Sequence, residues 1–115
     1  MEERRKLKRR YIMFYSRVFD RKTGRLLGYL SDLTQEGAMV ISEEKIEPSQ
    51  VMRLRMDLPE GVFDKSQLDF EAKAVWTSKD VDPHFFNTGF HLINISEGDI
   101  AIIEQIIQDY GFRER

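Results

Sequence analysis

Apolar residues recur at every second position over several short stretches of this chain, and turn formers interrupt them about every ten residues. A period of two belongs to a half-buried strand, so this alternation constrains the fold more than any other feature. Over residues 51–58, Met52, Leu54, Met56 and Leu58 share one face, with Arg53, Arg55 and Asp57 on the other. Leu68, Phe70, Ala72, Ala74 and Trp76 repeat the pattern opposite Asp69, Glu71 and Lys73. Residues 11–19, 26–30, 38–41 and 89–95 are short runs rich in apolar, β-branched or aromatic side chains and read as further strands. The polar segment Asp20-Arg21-Lys22-Thr23-Gly24-Arg25 joins the first two as a hairpin, and Pro48, Pro59 and Pro83 punctuate later loops.

The pattern changes only at the end. Ile100, Ile103 and Ile107 recur at helical spacing, with Ile102 and Ile106 widening the stripe. Ser96 is the expected N-cap, Asp99 stands at the capping-box position, and Gly111 is the expected C-cap. The expected fold is mainly β: a six-stranded antiparallel β-barrel with a C-terminal α-helix over residues 97–110. An open sandwich is the competing arrangement.

A chain of 115 residues suits one domain with a modest core. The expected organisation is a flexible basic arm over 1–10 followed by a single domain over 11–115. The net charge of −2 conceals an asymmetry: residues 1–10 hold six basic and two acidic side chains, or +4, leaving −6 elsewhere. Positive charge confined to ten residues suits a compact anion better than a long polyanion, so nucleic acid is a disfavoured partner. No apolar run approaches the ~20 residues that cross a bilayer, and no apolar stretch follows the basic start as a signal peptide requires. The absence of cysteine excludes thiolate metal sites and disulfides and fits a cytoplasmic setting.

Two polar segments carry chemistry. Arg4, Arg5 and Arg9 lie in the basic arm, and a guanidinium fork binds phosphate bidentately, reads guanine O6 and N7, and stacks on bases. Asp32-Leu33-Thr34-Gln35-Glu36-Gly37 joins the second and third runs. There Asp32 can accept from a guanine N1–H and N2–H2 edge, Thr34 can offer a hydroxyl, and Gly37 can let a ligand approach the backbone. Taken singly, the arm also reads as a solvated tail and the second segment as a plain turn.

Taken together they resemble the PilZ domain family of bacterial cyclic di-GMP receptors. The resemblance rests on Arg5-Lys6-Leu7-Lys8-Arg9 as an Arg-x-x-x-Arg element and on 32–37 as an Asp-x-Ser/Thr-x-x-Gly turn. Ala74-Val75-Trp76, then Thr88-Gly89-Phe90-His91-Leu92, then the terminal helix follow in the family order. It implies a non-catalytic cyclic di-GMP sensor that signals to an unidentified downstream protein, with Arg4, Arg5, Arg9, Asp32, Thr34, Gly37 and Trp76 at the ligand. Thr34 stands where the family usually has serine; the hydroxyl survives, but the β-methyl restricts χ1.

Trp76 has a second reading, since its phase with Leu68, Phe70, Ala72 and Ala74 places it most simply in the core. His84 reads as a loop residue and His91 as a strand residue facing water, neither with metal-ligand spacing. No catalytic arrangement is legible, and neither a metal nor a resident cofactor is expected. The competing functions are a PilZ-like interaction adaptor that binds no nucleotide and, less favoured, a nucleic-acid-binding barrel.

Overall fold

The computed structural model describes residues 16–34 and 36–110. Six strands follow in order: β1 (Arg17–Asp20), β2 (Leu26–Leu33), β3 (Gly37–Ser42), β4 (Val51–Asp57), β5 (Gln67–Lys79) and β6 (Phe86–Ile93), and then one helix, α1 (Glu97–Tyr110). The strands close into an antiparallel barrel in the order β1-β2-β3-β6-β5-β4, which decides against the open sandwich. The part of the expected first strand over residues 11–15, the basic arm and the Gly111 cap lie outside the described residues.

Alternation sets the inside of the barrel. Val18, Leu30, Val40, Leu54, Met56, Leu68, Phe70, Ala72, Ala74, Phe90 and Leu92 are buried in one core. The outward side of β1, β4 and β5 carries charge: Arg17 bonds Asp57 at 2.7 Å, and Arg55 grips Asp69 through two hydrogen bonds. The helix begins as its sequence predicts, with the Asp99 N–H donating to Ser96 Oγ at 3.1 Å. Its Ile103 and Ile106 side chains are fully buried, and Ile102 and Ile107 pack alongside.

Three register shifts break the alternation; the β1–β2 shift between Val18 and Phe19 passes over Leu27, and the other two bear on the outer surface. The β2–β3 register slips between Leu30 and Asp32, and the β5–β6 register slips between Ala74 and Trp76. Each inserts one residue, Ser31 or Val75, and turns the next side chain to the opposite face. Trp76 therefore leaves the core phase that Leu68, Phe70, Ala72 and Ala74 share, and Thr77 turns inward instead, its hydroxyl donating to the Ile46 carbonyl at 2.6 Å. The core reading of Trp76 is thus corrected: its side chain lies outside the barrel and is 45% exposed.

Candidate functional site

The β2–β3 and β5–β6 slips fall at one level of the barrel. Asp32 pairs with Met39, Met39 with Gly89, and Gly89 with Trp76, so these residues form a continuous row across β2, β3, β6 and β5. Their neighbours along the strands, Leu33, Ala38, Val40 and Phe90, point inward and are buried, so the row faces outward. At ~4.8 Å between strands, Asp32 and Trp76 are about 14 Å apart along it.

Trp76 packs its indole against Gly89. A Cβ built on Gly89 would meet Trp76 Nε1, Cε2 and Cζ2 at 2.3, 2.4 and 2.8 Å. Glycine at this outward position lets the indole approach the sheet closely, and the side chain keeps 45% of its surface open to solvent.

Asp32 occupies the opposite end of the row. Its Oδ1 accepts from the Leu33 N–H at 2.9 Å, and among the described residues it has no cationic partner. Burial pushes its carboxyl above the ordinary value of 3.8, with the Leu33 N–H pulling the other way. A half-buried carboxylate without a counter-charge is under-solvated, and a ligand or side chain bringing N–H donors to it would relieve that state.

The same shift has a stability consequence. A carboxyl whose pKa is raised by folding binds protons more tightly in the native state. Below 3.8 it is protonated in both states and carries no penalty; as pH rises through the native pKa the charged form costs stability. Asp32→Asn should therefore melt at higher temperature than wild type at pH 7. The advantage should shrink as pH falls towards 3.8, which thermal melts at stepped pH would check.

Beyond Asp32 the chain reverses through a tight turn. The Thr34 N–H donates to the Gly37 carbonyl at 2.8 Å, and Thr34 Oγ1 accepts from the Glu36 and Gly37 N–H groups at 3.2 and 3.0 Å. The Leu92 N–H donates to the Glu36 carbonyl at 2.8 Å, tying the turn to β6. Thr34 thus organises the turn from within, a role open to any short hydroxyl side chain. Gly37 is not in the left-handed region; its missing side chain has a packing reason, since a Cβ there would stand 2.6 Å from the Phe90 carbonyl oxygen. His91 is exposed on β6, paired with Gly37 on one side and Lys73 on the other.

The structure therefore brings Asp32, Thr34 and Gly37 to one end of an outward row and sets Trp76 at the other. Arg4, Arg5 and Arg9 lie outside the described residues. Sequence reading gave Met39 and Gly89 no role in the site, although Gly89 stands in the Thr88–Leu92 motif, and it missed the inserted residues Ser31 and Val75. The spacing of three between inward Leu30 and Leu33, where strict alternation gives two or four, is the trace one insertion leaves. Among the described residues no cluster of His, Asp or Glu has the arrangement of a metal site. No described helix is long and apolar enough to cross a membrane.

The fold is similar to that of the Bacillus subtilis inhibitor of motility MotI/DgrA, with a TM-score of 0.68 at 18% identity over 88% of this chain. This chain spans only 50% of that protein. It is also similar to the PilZ domain of YcgR from Escherichia coli, solved with c-di-GMP, at a TM-score of 0.64 and 15% identity over 84% of this chain and 80% of the other. At these identities the likeness concerns the fold. Comparison by sequence with curated proteins finds no match. The family model for the PilZ domain matches residues 3–109, nearly the whole sequence, and on that match the chain belongs to the PilZ domain family.

Proposed function

We propose that this chain binds cyclic di-GMP between its basic arm and the outward row, and that ordering of the arm is read by a downstream protein. PilZ domains are a family of cyclic di-GMP receptors, and the YcgR neighbour was solved with that ligand. The observation that carries the reading is the half-buried Asp32 carboxylate, which has no cationic partner among the described residues, in line with an outward-facing indole. One end of the row wants N–H donors, which a guanine edge supplies. The other offers a flat surface on which a base can stack.

In this reading Arg5 and Arg9 engage guanines and phosphates, and Arg4 adds a phosphate contact. Thr34 and Gly37 hold the turn in shape beside the ligand, and Asp32 accepts from a guanine. The protein performs no catalysis; its output is the position of the arm, which differs between states only because the ligand binds one of them better.

Trp76 is the only tryptophan in the chain, so its fluorescence is a site-specific reporter. Cyclic di-GMP should change its emission saturably, and Trp76→Ala should weaken binding by about 1–3 kcal/mol, the usual worth of a base stacked on an aromatic ring. Unchanged emission at high micromolar ligand, together with silence in calorimetry, would discard the proposal.

One observation favours a second reading. The Thr34 hydroxyl is engaged inside its own turn, and Gly37 has a packing reason to be glycine, so both motif positions are explained without a ligand. An adaptor that binds no nucleotide would keep them for the fold alone. The same calorimetry separates the two readings.

A further inference from the structure

A cleft of about 1030 Å³ opens beside the outward row, towards the far ends of β2 and β3. Tyr29 pairs with Ile41 and Ile41 with Asn87, forming the next outward row along from Asp32, Met39 and Gly89. The 20–25 hairpin loop, the segment after β3 and the β5–β6 loop supply the walls. None of Asp32, Thr34, Gly37 or Trp76 lines it.

Three properties define what would fit. The lining is largely apolar, with Ile41, Ile46, Met52 and Phe85 inside and Leu26 and Val81 at the surface, where they are 47% and 68% exposed. The charged lining is acidic in balance: Asp20, Glu43, Glu44 and Asp80 against Arg25 and Lys45. Finally, Asn87 is 9% exposed and gives its Nδ2 to Asp80, while its Oδ1 has no hydrogen-bond partner among the described residues. A donor reaching that oxygen would make a bond that no described residue supplies.

We propose that this cleft is a docking site for a partner protein's peptide segment that combines apolar anchors with lysine or arginine. The acidic balance selects cationic over anionic partners. The apolar lining supplies the anchor pocket that charge alone does not. A nucleotide would meet four carboxylates here, so the cleft is chemically distinct from the Asp32 row. The proposal does not depend on nucleotide binding and holds equally for a ligand-free adaptor.

The test uses two synthetic peptides on the full chain, one of repeated Lys-Leu-Leu-Lys and one of repeated Glu-Leu-Leu-Glu, followed by amide chemical shifts. The lysine peptide should shift the amides of Tyr29, Ile41, Ser42 and the Asn87 side chain at micromolar concentrations, while the glutamate peptide leaves them unchanged. Glu43→Lys/Glu44→Lys, at two exposed loop positions, should weaken the lysine peptide at least tenfold without changing the melting temperature by more than a few degrees. Several results would overturn the proposal: no shift with either peptide, equal shifts with both, or unaltered affinity in the charge-reversed variant. So would cleft shifts that depend on protein concentration alone, which would assign the cleft to a second copy of the chain.

Discussion

Replacing Arg5 and Arg9 together with alanine should reduce cyclic di-GMP affinity by roughly 100-fold or more, because each charged hydrogen-bonding contact is worth about 1.5–3 kcal/mol. The described start of the chain supports the geometry. Ser16 accepts from the Leu30 N–H at 2.9 Å, and Arg17 pairs with Tyr29, so β1 runs antiparallel to β2 and the chain enters β1 from the end of the barrel that bears the 32–37 turn. Arg9 precedes Ser16 by seven residues and Arg5 by eleven. At ~3.3 Å per extended residue these tethers reach about 23 and 36 Å, enough to meet the turn and the row behind it. An Arg5→Lys/Arg9→Lys variant should bind with intermediate affinity, since lysine keeps the charge but loses the planar fork. Titration calorimetry decides: if the double-alanine protein binds as wild type does, the arm is not part of the site.

How much of this could be read beforehand depends on periodicity. Strands β4 and β5 and helix α1 were legible because their apolar residues keep one period over enough positions to define a face; Leu54, Met56, Leu68 and Phe70 are all buried as that period requires. Closure of the barrel was legible only as a preference, since strand count alone does not decide between a closed and an open sheet. The three-residue spacing of Leu30 and Leu33 hints at the insertion of Ser31 and nothing marks that of Val75, because a bulge is one extra residue that is identified only once the partner strand is known. Trp76 shows the consequence. Its place in a clean alternation argued for the core, while the outward reading came only from the family resemblance. Thr34 and Gly37 were picked out by that same motif, yet the contacts seen around them serve the turn and the β3–β6 approach. The outward row as a unit depends on three separate strand pairings, and no local sequence signal encodes it.

The glycine expected to matter most for stability lies outside the motif. A Cβ on Gly28 would stand 2.2 Å from the Ile41 carbonyl oxygen and 3.0 Å from both the Ile41 carbonyl carbon and Val40 Cγ1. The obstacle is backbone held in the sheet: Tyr29 pairs with Ile41 and Leu30 with Val40, while Gly28 itself pairs with Val18 on the other side. In a closed barrel neither β2 nor β3 has a free edge to move towards, so relief requires shifting paired strands. Overpacking of this kind costs about 1–3 kcal/mol and occasionally more, and Gly28→Ala belongs at the upper end. For a domain of this size ~3 kcal/mol corresponds to a fall of roughly 10–20 °C in Tm. Gly98→Ala is the matched control, because nothing lies within 4 Å of a Cβ there and alanine favours the first turn of α1. It should melt at or slightly above the wild-type temperature. Since Gly28 sits on the strand that carries Asp32, cyclic di-GMP affinity should fall in the Gly28 variant even well below its melting point. A Gly28→Ala protein that melts within 3 °C of wild type would mean that β2 and β3 separate at little cost, and the row across them would then be too compliant to act as a fixed platform.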